Sequence, residues 1–115
     1  MKQEAFTMSL LLDYYGSLLT EKQKNYFDLY YNQDLSLAEI AEQEGISRQG
    51  VHDTISRTEA TLLQMEESIG CVARARSIRK AMEEISAAAE ALSKHEDPAV
   101  RQSAERVLSA VFSLK

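Results

Sequence analysis

Residues 36–58 read SLAEIAEQEGISRQGVHDTISRT, and this stretch decides the fold. Ser36 and Glu39 have the spacing of a capping box, in which each side chain satisfies a backbone N–H left free at a helix start. A short helix is predicted from Leu37 to Glu44. Gly45-Ile46-Ser47 follows as a tight turn, with Gly45 suited to a left-handed backbone and Ser47 placed to cap a further helix from Arg48. Ala41 is small enough for the two helices to cross closely, and Ile40, Ile46, Val51 and Ile55 are expected beneath the crossing. Two short amphipathic helices around a Gly-containing turn are the sequence form of a helix-turn-helix.

Upstream, a first helix is expected from about Gln3 to Tyr15, with Phe6, Leu10, Leu11, Tyr14 and Leu18 near helical spacing and Gly16 close to its end. Thr20 and Gln23 repeat the capping-box spacing and open a second helix. Tyr26, Phe27, Tyr30 and Leu29 supply its buried face, and Asn32-Gln33-Asp34 reads as a loop. Seven of the eight aromatics lie at or before Tyr31. No basic residues interleave with them as a base-stacking surface requires, so the tyrosines read as core.

Downstream, Val51, Ile55, Thr58, Leu62, Met65, Ile69 and Val72 alternate steps of three and four. A second series, Cys71, Ala75, Ile78, Met82, Ile85, Ala89 and Leu92, keeps the alternation in a shifted phase. The shift falls around Gly70, where the helix either bends or stops. A continuous helix of this length would run about 60 Å, too long for burial in one small domain. Such a seam needs a partner, from a segment folding back or from another subunit. Asp97-Pro98 restarts a last helix, with Val100, Ala104, Val107, Leu108, Val111 and Phe112 as its apolar stripe. The fold class is all-α: residues 1–68 form a helix-turn-helix domain with its motif at 36–58. Residues 69–115 form a long helical extension for dimerisation or partner binding.

Composition narrows the function. The 115 residues include four Gly, one Pro and no Trp, which excludes collagen-like and turn-rich β classes. Leu10-Leu11-Leu12 is cut by Asp13 and is far too short to span a membrane, and no signal-peptide core follows Lys2 and Glu4. Cys71 stands alone, without the paired spacing of a zinc site, so a reduced, cytoplasmic protein with no metal and no cofactor is expected. Net charge is −5, and it is uneven: −1 over residues 1–17, −5 over 18–66 and +1 over 67–115. Non-specific nucleic-acid binding rests on a surplus of Lys and Arg, and the motif region has the opposite.

Within the motif, Arg48, Gln49, His52, Asp53, Ser56 and Arg57 fall on the outer side of the second helix. Arg48 suits a guanine edge, Gln49 an adenine edge and Arg57 a phosphate, while Asp53 repels phosphate. The candidate nucleic-acid-binding set is therefore Arg48, Gln49, His52, Ser56 and Arg57. A secondary basic patch, Arg74, Arg76, Arg79 and Lys80, is read either as an RNA-contacting surface or as an exposed face paired with Glu83 and Glu84. Catalysis finds no support: His52 and His95 lack a nucleophile at working distance, and Glu83-Glu84 diverge around a helix. A non-enzyme is expected.

The run LLTEKQ…LAEIA…GISRQGV…ISRTEATL, residues 18–62, resembles the DNA-binding region 4 of bacterial sigma factors. With the upstream LLLDYYGSLLTEKQ it is similar to YlxM-like proteins, small bacterial helix-turn-helix proteins whose gene commonly neighbours that of the signal recognition particle GTPase. The resemblance implies a sigma-region-4-like helical fold, a regulatory role and a link to the signal recognition particle pathway. Glu44 stands where an apolar residue is usual, and Gly50 where a small residue bearing a β-carbon is usual. The competing class is an adaptor that keeps the fold without reading DNA and contacts the particle's GTPase or RNA polymerase. Either way the expected assembly is a homodimer, with DNA or RNA as the nucleic-acid ligand and no membrane insertion.

Overall fold

The computed structural model describes residues 4–114. Among these residues six α-helices follow one another: α1 Ala5–Tyr15, α2 Glu21–Tyr31, α3 Leu37–Glu44, α4 Arg48–Ile69, α5 Cys71–Leu92 and α6 Pro98–Phe112. A 3-10 turn, Gly16–Leu18, joins the first two. The described residues contain no strand, in keeping with an all-α class. The expected start of the first helix at Gln3 lies outside the described residues. The chain divides into two compact units, Met1–Val72 and Ala73–Lys115.

The caps expected at Thr20, Ser36, Ser47 and Asp97 all form. Ser36 Oγ accepts from the Glu39 N–H at 3.1 Å, while Glu39 Oε1 accepts from the Ser36 N–H at 3.0 Å. These bonds favour the ionised carboxylate, and they hold Glu39 below its usual range. Thr20 and Gln23 close the same reciprocal box. Ser47 Oγ accepts from the Gly50 N–H at 2.9 Å, and Asp97 caps α6 through the Ala99 N–H with Pro98 in its first turn.

In the first unit α4 is the central helix, packed against α1, α2 and α3. Met8 and Leu11 from α1, Phe27 from α2, Ile40 from α3 and Val51, Thr58 and Leu62 from α4 are almost wholly removed from solvent. Thr58 can be buried because its hydroxyl donates to the Thr54 carbonyl at 2.8 Å. Phe27 and Tyr31 rings lie 4.6 Å apart, and Tyr30 meets Tyr31 edge-on at 5.1 Å. The face expected for α1 is only partly correct. Leu11 is buried and Leu10 half-buried, but Phe6, Tyr14 and Leu18 are exposed, and Met8 and Tyr15 fill the core instead. The reason is that α1 has apolar residues all around it, so its periodicity alone does not choose the buried side.

Gly70 ends α4. Its φ of 72° is left-handed, and its N–H closes the helix on the Glu66 carbonyl at 2.8 Å. α5 restarts at once because two side chains satisfy its first N–H groups. Tyr15 Oη accepts from Cys71 N at 3.1 Å, and Glu66 Oε1 accepts from Val72 N at 3.0 Å. The Tyr15 hydroxyl donates to the same Glu66 oxygen at 2.6 Å. Burial, reinforced by the Glu66 bond, pushes the Tyr15 phenol up to about 12. The native state thus keeps a proton that the unfolded chain loses near the ordinary tyrosine value of about 10. Stability is expected to be intact below pH 10 and to fall as pH rises from 10 toward 12. Denaturant midpoints measured at pH 8, 10 and 11 check this: Tyr15→Phe should flatten the alkaline loss, and an unchanged slope would place the phenol outside the linkage.

The second unit is spare. α5 continues through it and α6 returns from the Lys94–Asp97 connection, where the Arg101 guanidinium donates to the His95 and Glu96 carbonyls at 3.0 and 2.8 Å. Among its described residues only Ala89, Ala104 and Val111 are buried. Three such side chains remove too little apolar surface to hold two helices in place unaided.

Candidate nucleic-acid interface

The interface begins with the crossing of α3 and α4. Ile40 and Val51 are wholly buried under it, Ile55 and Ala41 nearly so, and Ile46 half-buried at the turn. Gly50 has a local reason to lack a side chain. A β-carbon there would lie 3.1 Å from Ser47 Oγ, the atom that caps α4. The departure from a small side chain at this position leaves room for the cap. Glu44, at a place where an apolar residue is usual, is half-buried and accepts a hydrogen bond from the Asn25 side-chain amide, linking α3 to α2.

Because Val51 and Ile55 point inward, the opposite side of α4 is fixed outward. Arg48, Gln49, His52, Asp53, Ser56 and Arg57 are all exposed. Arg48, Gln49, His52 and Ser56 line a depression of about 420 Å³ together with Tyr30, Leu37, Ile55 and Glu59. Arg57 is not part of its lining. Sequence reasoning missed Tyr30, Leu37 and Glu59 here, although the spacing of His52, Ser56 and Glu59 places them on one helical face. Glu59 also accepts from the buried Tyr31 hydroxyl, so its carboxylate is anchored.

The exposed side chains of this face are not unengaged. Gln49 Nε2 donates to Asp53 Oδ1 at 2.9 Å, one helical turn on. His52 Nδ1 lies 3.5 Å from the same oxygen, with both side chains about half exposed. Asp53 therefore sits between Gln49 and His52 and brings negative charge to this face. Within this first unit the geometry offers a capped helix start, exposed side-chain donors and two acids, Asp53 and Glu59, beside them.

The secondary basic residues are all exposed on α5. Helical spacing puts Arg76, Arg79 and Lys80 on one side and turns Arg74 away from Arg76. Among the described residues no group of three His, Cys, Asp or Glu could hold a metal ion, and no helix is long and apolar enough to cross a membrane.

Comparison with known proteins places this geometry. Residues 2–101 match the model of the UPF0122 family, described as "Putative helix-turn-helix protein, YlxM / p13 like". A UPF0122 protein of Desulforamulus reducens is 51% identical over 83 residues, covering 72% of this chain and 71% of its own. One of Thermoanaerobacter sp. (strain X514) is 39% identical over 115 residues, covering 99% and 98% of the two chains. One of Geobacillus kaustophilus is 47% identical over 85 residues, or 74% and 77%.

Proposed function

The chain belongs to the UPF0122 family of YlxM/p13-like helix-turn-helix proteins, and from that premise we propose that it is a cytoplasmic regulatory protein that reads duplex DNA with the outer face of α4. One observation carries the reading. Arg48, Gln49, His52, Ser56 and Arg57 stand exposed on a helix whose other side is locked by Val51 and Ile55. A recognition helix needs this division, because base edges are read only by side chains held in a fixed frame. Arg48 serves a guanine edge, Gln49 an adenine edge and Arg57 the phosphate backbone. A homodimer presents two such helices to successive grooves. The resemblance to YlxM-like proteins supports a place for this regulation in the signal recognition particle pathway, with the α5 basic residues available to RNA.

Asp53 favours a second reading, a protein adaptor without DNA readout. Its carboxylate occupies Gln49 and lies beside His52, and Glu59 adds a second acid to the same depression. Such a surface suits a basic partner, as the signal recognition particle GTPase or RNA polymerase would have to offer here.

Asp53→Asn separates the two. If α4 meets DNA, removing this charge should tighten binding to a duplex pool by about three- to tenfold at about 0.1 M salt, read by fluorescence anisotropy. One phosphate neutralised by Arg57 in each copy of the dimer also predicts roughly a tenfold loss of affinity between 50 and 200 mM salt. Binding that is absent, or indifferent to both changes, leaves the adaptor.

A further inference from the structure

Near the start of α4 one exposed side chain is held in a chosen orientation. Gln49 Nε2 donates to Asp53 Oδ1 at 2.9 Å, and His52 Nδ1 lies 3.5 Å from the same oxygen. An ionised carboxylate only accepts hydrogen bonds, whereas a glutamine amide has an oxygen that accepts and a nitrogen that donates twice. The chemistry of the pair therefore decides which end of the Gln49 amide faces Asp53. It is the nitrogen, and one of its two N–H groups is engaged there. Among the described residues Gln49 makes no other hydrogen bond, so Oε1 and the second N–H remain for a ligand.

The backbone beneath the pair is fixed. Ser47 Oγ caps α4 through the Gly50 N–H, and Val51 and Ile55 are buried on the opposite side. Gln49 and Asp53 stand one helical turn apart on the exposed side, where a ligand reaches both.

What remains on Gln49 is one acceptor beside one donor. In the major groove that pattern matches adenine, whose N6 amino group donates and whose N7 accepts. It does not match guanine, whose O6 and N7 both accept. An amide without a partner turns over freely and offers its N–H groups to guanine as well.

We propose that Asp53 is a positioning residue for base selection: by holding the amide nitrogen of Gln49, it makes that side chain choose adenine over guanine. This rests on the reading of α4 as a DNA-recognition helix and adds the residue that sets its specificity at one base pair. Asp53 itself touches no base. Its charge opposes phosphate, so it lowers affinity for every sequence while raising the preference for one.

Selection of bound duplexes from a random pool, followed by sequencing, tests this with the full chain. The unsubstituted protein should enrich adenine over guanine about tenfold at one position, and Gln49→Ala should abolish that enrichment. Asp53→Ala should cut it to about threefold or less. Affinity for the unselected pool should rise in the same variant, and the guanine preference that depends on Arg48 should persist. In a Gln49→Ala background, Asp53→Ala should alter no base preference, because it acts through Gln49. Both side chains are exposed, and helical circular dichroism verifies the fold of each variant. An adenine preference as strong in Asp53→Ala as in the unsubstituted protein overturns the proposal while keeping α4 on DNA. So does a selected site with no adenine that depends on Gln49, or a shift in preference caused by Asp53→Ala without Gln49. A pool with no enriched duplex overturns the recognition-helix reading as well.

Discussion

Phe27→Ala is expected to cost about 3–5 kcal/mol, the loss typical of an aromatic side chain removed from a closed core. Phe27 is wholly buried, its ring lies 4.6 Å from that of Tyr31, and α2 contacts α1, α3 and α4. Transfer and cavity costs add when such a side chain is removed. Domains of this size hold together by about 5–15 kcal/mol, so the variant should lose a large share of its stability or fail to fold. Urea unfolding followed by helical circular dichroism measures the change. Phe6→Ala is the control: Phe6 is 67% exposed, and its loss should stay within about 0.5 kcal/mol. Equal effects at the two positions would contradict the core described for the first unit.

Arg48→Ala combined with Arg57→Ala is expected to reduce DNA affinity by about a hundredfold with the fold unchanged. Both side chains are exposed, so neither contributes to the packing of Val51 and Ile55 beneath them. A bidentate contact from Arg48 to guanine is worth about 1–3 kcal/mol and relaxes selectivity at one base pair when lost. Arg57 acts on phosphate, so its removal should weaken binding to every sequence alike and lower the dimer's salt slope by about two, one for each copy. Anisotropy titrations of single and double variants separate the two roles. Wild-type affinity in the double variant would remove α4 from the interface.

Much of this architecture was legible because its signals are local. Each capping box spans four residues, Gly45 and Ser47 flank one turn, and Arg48 to Arg57 occupy one helix, so short-range spacing was enough. The buried side of α1 was not legible. Met8, Leu11 and Tyr15 are spaced as regularly as Phe6, Leu10 and Tyr14, and only packing against α2 and α4 chooses between them. The sequence leaves a bend or a break at Gly70 equally open for a related reason. The restart of α5 depends on Tyr15, which donates to Glu66 from 51 residues away. The depression beside the candidate readers takes Tyr30 from α2 and Leu37 from α3, a juxtaposition made by the tertiary fold. The charge deficit of residues 18–66 gained a location through Asp53 and Glu59, which lie on the α4 face itself.

Affinity capture of the protein from its own cells, with and without nuclease, asks whether α4 reads DNA. The expected result is duplex DNA that survives moderate salt, carries a recurring sequence and is lost with Arg48→Ala and Arg57→Ala. Capture of proteins alone, unaffected by nuclease and by both substitutions, would contradict it.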